Sequence, residues 1–512
     1  MSRKAGILLP LFSLPSPHGI GGLGKCAYEF VDFLAAAGQS VWQILPIGAT
    51  GMGDSPYQTF SAFGGNPYFI DPDALAREGL LTQEEIALAD LEGDPHRVDY
   101  AAQYRRRMPL LRLAWRRSLD FSVQTEKSYG GSSDESKNNL TDEGVFGQTE
   151  NSLADYALFM ALKDAHKGAP WWEWEEPIRR REPSALAEAK ARLADSIGFH
   201  LFLQQTFFRQ WDRLKAYAHA RGVAIMGDIP IYTALDSADV WAAPHLFRLD
   251  GDLRPTYVAG CPPDGFSPTG QLWGNPLYRW EAHRNEGYDW WIRRFAHCMA
   301  LYDCVRIDHF RGFDAYFAIP YGDSTAVGGH WEKGVGIELF DTVKKALPHL
   351  SVVAEDLGFI TPSVKSLLEG CSFPGMRVLQ FAFDSRDEGE GSIHLPPSYP
   401  KNCVAYTGTH DNQTLMGWLS ILPQGEKESV RAYLGGENLP DTELADALID
   451  RLLASPAELA IIPLPDWLHL GDEARINTPS TVGDNWVWRL ERGQLSADLA
   501  RTIREKTQRW GR

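Results

Sequence analysis

The sequence predicts an α/β fold in which about eight parallel strands close into a barrel. Short apolar runs rich in Val and Ile recur along the chain, and they read as strands buried on both faces. Stretches of helical periodicity lie between them, and alternating β and α elements make a parallel sheet. Acidic residues stand at the C-terminal ends of several runs: Asp308 after Cys304-Val305-Arg306-Ile307, Glu355 after Val352-Val353-Ala354, and Asp411 after the run that begins at Val404. Barrels and open parallel sheets place their chemistry at that end of the strands.

Residues 25–37 read as a helix, with Tyr28, Phe30, Val31, Phe33 and Leu34 on one face and Gly38 at the C′ position. Val41 to Ile47 reads as a strand, 48–63 as a long Gly/Ser/Pro loop, and Tyr68-Phe69-Ile70 as a second, short strand. From 71 to 196 the pattern predicts an inserted, mostly helical subdomain, opened by a capping box of Thr82 with Glu85. Within it, 122–149 is polar and aperiodic and reads as a mobile surface loop, and 155–164 is helical again. A strong amphipathic helix covers 197–221 through Phe199, Phe202, Leu203, Phe207, Trp211, Leu214 and Tyr217, ended by Gly222. Val223 to Met226 is the next strand, with Asp228 at its end. Residues 230–300 read as a second insertion carrying a lid or acceptor loop, and 230–280 of it as Pro/Gly-rich loop. Later strands are expected at 303–307, 351–354, 377–382, 403–407 and 475–478. No internal repeat is visible, and 1–512 reads as a single catalytic (β/α)8 TIM barrel with these two insertions.

Bulk properties narrow the function. Lys and Arg number 50 against 67 Asp and Glu, a net charge of −17, which opposes binding to a phosphate backbone. The triplets Arg105-Arg106-Arg107 and Arg179-Arg180-Arg181 read as solvated helix faces. None of the six cysteines forms a CxxC pair, which points away from a zinc site or a disulfide framework and toward a reducing cytoplasm. The apolar run at Gly6-Ile7-Leu8-Leu9 mimics a secretion signal, but Pro10, Pro15 and Pro17 break it and no cleavage site follows. No membrane span is expected, because no stretch of about 18 apolar residues exists.

Gly19-Ile20-Gly21-Gly22-Leu23-Gly24 matches the dinucleotide fingerprint but follows a Pro-rich loop, so it reads as a turn opening the first helix. Arg306 and Asp308 are i and i+2 on one strand and share a face. A guanidinium there keeps the carboxylate ionised, as a nucleophile requires, and a buried structural ion pair would leave the same pattern. Glu355 follows a wholly apolar strand, so desolvation should raise its pKa toward that of a general acid; a helix cap is the bland alternative. His410 beside Asp411 is compatible with a metal site, but no HxH or HExxH accompanies it, and a pair gripping sugar hydroxyls suits it better. Asp228 is expected to support neighbouring Arg and Tyr side chains. The loops Asp54-Ser55-Pro56-Tyr57 and 262–276 mix rings, amides and carboxylates, as a saccharide groove does and as self-closed Ω-loops also do.

These residues resemble the 4-α-glucanotransferases known as amylomaltase or disproportionating enzyme, glycoside hydrolase family 77. The resemblance runs nearly end to end through Ser13-Leu14-Pro15, Trp42-Gln43-Ile44-Leu45-Pro46, Ser55-Pro56-Tyr57, Asn66-Pro67-Tyr68, the loop from Pro262 to Pro276, Arg306 to Gly312, Ala354 to Gly358, Thr409-His410-Asp411-Asn412 and Asn477-Thr478-Pro479. Cys261 stands where the family commonly has Val, and Asn151-Ser152 replaces an aromatic residue. The resemblance implies a retaining transferase that moves α-1,4-linked glucan segments through a covalent glycosyl-Asp intermediate. By position, Asp308 is then the nucleophile, Glu355 the acid/base and Asp411 the stabiliser of the transition state. Arg306, His410, Tyr57, Ser55, Asp264, Phe266, Trp273, Asn275 and Asn477 would contact sugar. It implies no cofactor and no metal, partners limited to maltooligosaccharides and starch- or glycogen-derived glucans, neither nucleic acid nor membrane, and a cytoplasmic location, or a plastid where a transit peptide has been removed. The rival enzyme is an α-glucan hydrolase of the α-amylase type. A catalytically silent glucan-binding protein would lack at least one acid, and a metal-dependent hydrolase would respond to chelators.

Overall fold

The computed structural model describes residues 3–51, 53–128, 150–263, 267–358, 360–384, 391–435 and 439–512. Among these residues, twelve strands form two sheets. In chain order they are β1 (Lys4–Leu8), β2 (Val41–Gln43), β3 (Ala224–Pro230), β4 (Tyr257–Cys261), β5 (Gln271–Pro276), β6 (Cys304–Asp308), β7 (Ala315–Pro320), β8 (His330–Lys333), β9 (Val352–Ala354), β10 (Gly375–Val378), β11 (Cys403–Tyr406) and β12 (Leu459–Pro463). The larger sheet has eight strands in the order β10-β11-β12-β1-β2-β3-β6-β9, every neighbouring pair parallel. Its two ends meet where the Ala354 N–H donates to the Pro374 carbonyl at 2.9 Å, one residue before β10. Read around this ring the strands follow chain order, which is the winding of a (β/α)8 barrel.

Side chains fill the interior. Tyr406 on β11 donates its hydroxyl to Gln43 Oε1 on β2 at 2.9 Å, and Arg306 Nε on β6 donates to Met376 Sδ on β10 at 3.3 Å. Neither pair sits on adjacent strands, so both contacts cross the barrel. Outside, Lys25–Ala36 buries Phe30, Val31, Phe33 and Leu34, and Gly38 follows it in the left-handed region at φ 68°. Ala194–Ala220 buries Phe199, Phe202, Leu203, Phe207, Trp211 and Leu214. Asp289–Leu301, Ile337–Ala346, Pro362–Cys371 and Ala497–Arg509 complete much of the outer layer.

Eight barrel strands were expected and eight are present, but two members differ. Tyr68-Phe69-Ile70 is not a strand: Pro67–Phe69 is a 3-10 turn, because the Asn66 side chain caps the Tyr68 N–H and Pro67 sets the first helical position. Residues 475–478 carry no regular secondary structure and join no ladder. Their places are taken by β1, whose apolar run looks like a leader, and by β12, held in register from Lys4↔Leu459 to Leu8↔Pro463. The expected 41–47 and 377–382 strands are shorter, the second giving way to a 3-10 segment at Leu379–Phe383. Between β2 and β3 the described residues of 71–196 carry helices and no strand, and the Thr82–Glu85 capping box forms. The helix Tyr100–Ser128 runs on through 122–128, which the sequence reads as loop, while 129–149 lie outside the described residues. The 230–280 stretch is more ordered than its composition predicts: β4 and β5 pair there and join β7 and β8 in a four-stranded antiparallel sheet.

A Cβ built on Gly6 would lie 2.5 Å from the Val41 carbonyl oxygen and 2.8 Å from the Val41 Cβ, so β1 and β2 close only with glycine there. Gly6→Ala is expected to destabilise the fold by roughly 1–3 kcal/mol, as overpacking does, and to lower the calorimetric unfolding temperature. An unchanged unfolding temperature contradicts this packing.

Candidate active site

The register of β3 against β6 pairs Asp228 with Arg306 and Pro230 with Asp308, so an acid, a base and a second acid line the C-terminal ends of two neighbouring strands. Arg306 Nη1 donates to Asp228 Oδ2 at 2.6 Å and Nη2 donates to Asp308 Oδ1 at 2.8 Å. The Arg306 and Asp228 side chains are 3% and 0% exposed, whereas Asp308 is 32% exposed. The buried ion pair is therefore Arg306–Asp228, and Asp308 is its open end. Burial raises the Asp228 pKa to about 6 against the opposing pull of Arg306. Burial alone would lower the pKa of Arg306, but Asp228 and Asp308 more than offset it and hold the guanidinium charged.

From Asp228 the network continues to a third acid. The Tyr57 hydroxyl donates to Asp228 Oδ2 at 2.9 Å and lies 2.9 Å from His410 Nε2. With its one proton on Asp228, Tyr57 must accept from an Nε2–H of His410. That same nitrogen is 3.4 Å from Asp411 Oδ2, and Asn477 Nδ2 donates to Asp411 Oδ1 at 2.6 Å. The Tyr57 and His410 rings stack with centroids 5.3 Å apart and 17° between planes, and the Trp486 ring packs against both. Asp308 and Asp411, far apart in sequence, are thus the two ends of one path through Arg306, Asp228, Tyr57 and His410.

Glu355 enters from the next strand. Ile307 pairs with Ala354, so the residues that follow, Asp308 and Glu355, leave β6 and β9 side by side. Each carboxylate oxygen of Glu355 accepts one backbone N–H, from His309 and from Leu357, both at 2.8 Å. His309 can donate there because it sits in the left-handed region at φ 56°. Burial first, then the negative charge of Asp308, push the Glu355 pKa well above the ordinary glutamate range; the Leu357 N–H and Arg306 oppose this without cancelling it. Asp356 turns away, accepting from Met376 N and Arg377.

The remaining expected residues divide. Trp273 sits edge-to-face on the His309 ring at 4.8 Å. Ser55 Oγ accepts the Tyr57 N–H at 3.3 Å and shapes the turn that carries the tyrosine. Asn275 is buried, and its amide is taken up by the Thr233 carbonyl at 2.8 Å and by Gln58 Nε2 at 2.9 Å, so it braces the Tyr57 loop. Asp264 and Phe266 lie outside the described residues. His309, Gln58 and Trp486 were not singled out from sequence. His309 carries a signal in its position directly after Asp308, whereas nothing local marks Gln58 or Trp486. Among the described residues one group of metal-capable side chains, His18, Asp71 and Asp73, stands away from these acids. Asp71 there caps the Ala74 N–H and His18 pairs with Asp73 at 2.9 Å, so these groups already have protein partners.

A parallel barrel that gathers three carboxylates, an arginine and a histidine at the C-terminal ends of its strands defines a class, the (β/α)8-barrel enzymes. The chain belongs to glycoside hydrolase family 77, the family described as 4-alpha-glucanotransferase, whose model matches residues 9–496. It is similar to the 4-alpha-glucanotransferase of Thermus thermophilus, with 46% identity over 511 residues, covering 98% of each chain. It also resembles the chloroplastic/amyloplastic 4-alpha-glucanotransferase of Solanum tuberosum, with 42% identity over 95% of this chain and 82% of the relative. The amylomaltase of Streptococcus agalactiae, solved in complex with acarbose, superposes with a TM-score of 0.92 at 38% identity over 100% of this chain and 99% of that one. The protein is therefore a glucan-transferring enzyme of this family.

Tyr57→Phe removes the hydroxyl between Asp228 and His410. A hydrogen bond to a charged group contributes about 1.5–3 kcal/mol, so turnover is expected to fall roughly 10- to 100-fold, with a lower unfolding temperature. Wild-type turnover in this variant would show that the two halves of the network act independently.

Proposed function

We propose that this chain is a retaining 4-α-glucanotransferase in which Asp308 is the nucleophile, Glu355 the general acid/base and Asp411 the transition-state stabiliser. One observation carries the reading: Asp308 and Asp411 terminate a single path of polar contacts, hydrogen-bonded from Asp308 to His410 and closed by the 3.4 Å approach of His410 Nε2 to Asp411, and Glu355, its pKa raised, stands at the end of the strand beside Asp308. An Asp308 oxygen attacks the anomeric carbon of the donor glucan as Glu355 delivers its proton to the departing 4-oxygen. A β-glucosyl ester forms, and the shortened glucan leaves with that proton. Glu355, now a carboxylate, takes the proton of an incoming glucan's 4-hydroxyl, whose oxygen attacks the anomeric carbon and frees Asp308. Retaining pairs of this kind lie about 5–5.5 Å apart.

Each residue's setting suits its part. Arg306 holds the Asp308 carboxyl in place beside Glu355 by a direct hydrogen bond. The two backbone amides orient the Glu355 carboxyl without removing its proton at neutral pH. Asp411, aimed by Asn477 and His410, grips hydroxyls of the ring that flattens in the transition state. The donors and acceptors are maltooligosaccharides and starch- or glycogen-derived chains; the acarbose complex of the Streptococcus agalactiae relative supports a glucan-shaped cleft. Transfer prevails over hydrolysis because the loops at 54–60 and 262–276 bind the acceptor and exclude water, and each ~1.4 kcal/mol of preference is tenfold in rate. The insertion at 230–300 carries the acceptor loop, and 71–196 is a helical insertion subdomain. Six free cysteines suit a reducing compartment, the cytoplasm or a plastid stroma. Among the described residues no helix is long and apolar enough to cross a membrane.

Incubation with maltotriose alone is expected to yield glucose and a ladder of longer maltooligosaccharides; a product mixture dominated by maltose and glucose contradicts transfer. Asp308→Asn should abolish mass-spectrometric trapping by a fluorinated glycosyl donor and cut kcat about 10³-fold or more, with the fold retained. Because the Glu355 pKa is raised, its acid form persists above the ordinary glutamate value, and kcat/KM should be lost only as pH climbs through that raised pKa. Glu355→Gln, assayed with an activated donor that needs no proton, should flatten this alkaline limb; an unchanged limb assigns it to another group.

A further inference from the structure

We propose that Arg475 is a positioning residue for the transfer reaction, tying the backbone at Asp411 to the backbone at Asn477 so that the two side chains stay in register. The inference rests on the role proposed for Asp411. Arg475 Nη2 donates to the Asp411 carbonyl at 2.9 Å, and Nε donates to the Asn477 carbonyl at 2.9 Å. Between the same two segments the Asn477 N–H donates to the His410 carbonyl at 3.1 Å, and Asn477 Nδ2 donates to Asp411 Oδ1 at 2.6 Å.

Neither 410–411 nor 475–477 belongs to a strand, so no ladder fixes their separation. The guanidinium replaces one: its rigid planar fork serves two carbonyls in a fixed geometry, which the compact ammonium of a lysine on its flexible stem does not impose. Burial lowers the Arg475 pKa, while Asp472 and Asp411 pull it back up. The strap also reaches the other half of the network, since the Trp486 N–H donates to the Ile476 carbonyl at 2.8 Å and the Trp486 ring packs on Tyr57 and His410. Without Arg475 the carboxylate of Asp411 would still be present, but its distance to the reacting ring would drift. A displacement of about 1 Å in a positioned group costs on the order of 10²-fold in rate. Arg475 lines a surface cavity of about 440 Å³ together with Asp472, Thr478, Asn485 and Trp488, so a small cation has room to reach its place.

The test compares Arg475→Lys, Arg475→Ala, Asp411→Asn and the Arg475→Lys/Asp411→Asn double variant on maltotriose. Arg475→Lys is expected to keep its fold by circular dichroism and to lose roughly 10- to 100-fold in kcat, with KM changed less than about 3-fold. In Arg475→Ala, added guanidinium ion should restore part of the lost kcat and ammonium ion should not. The double variant should be no slower than Asp411→Asn alone, because the arginine acts through that carboxylate. Wild-type kcat in folded Arg475→Lys, or losses that multiply in the double variant, would overturn the assignment. If Asp411→Asn itself turns over normally, the role given to Asp411 fails first and this inference falls with it; if only Asp411→Asn is impaired, the strap alone is refuted.

Discussion

The site depends on one buried charge. Arg306 sits inside the barrel, 3% exposed, and its guanidinium is shared between an acid that never meets solvent and one that does. Removing either partner of such a pair leaves an uncompensated charge in a poorly solvated interior, which is strongly destabilising. The arrangement therefore couples structure to function. The fold needs Asp228 to keep Arg306, and Arg306, once held, presents its second Nη to Asp308 at the rim. The parallel register of β3 and β6 makes this possible, since Asp228 and Arg306 are direct partners across the ladder.

The same interior network gives neighbouring carboxyls different surroundings. Asp308 faces a fixed cation. Glu355, just past the adjoining strand, is desolvated by burial and lies beside the charge of Asp308 itself, and its pKa rises. Two carboxyls whose environments differ in this way can act as an acid and a nucleophile in one pocket. Tyr57 extends the constraint from Asp228 to His410 and thence toward Asp411, so one set of polar contacts orients groups carried by β3, by β6 and by the segments after β2 and β11.

Local signals in the sequence are reliable where the physics is local. The Thr82–Glu85 box, the amphipathic helices and the glycines at 38 and 222 behave as their spacing predicts. The acids at 308, 355 and 411 are visible because an apolar run followed by a charge marks a strand end. Illegible features are those that only tertiary contact defines. Lys4–Leu8 looks like a leader, and only pairing with Leu459–Pro463 makes either segment a strand. Tyr57 looks like a sugar platform, and nothing near it in the chain announces hydrogen bonds to residues 228 and 410. Asn275 looks like a polar contact in a binding loop, yet its amide is absorbed by Thr233 and Gln58.

The central claim is that Asp308, Glu355 and Asp411 act on one glucose ring. The most direct measurement is a crystal structure of the Glu355→Gln variant after reaction with a fluorinated maltosyl donor. The account predicts continuous density from an Asp308 carboxylate oxygen to the anomeric carbon, with Asp411 on hydroxyls of that same ring and the substituted side chain at position 355 facing the anomeric carbon. A sugar bonded elsewhere, or one whose ring Asp411 does not touch, would contradict it.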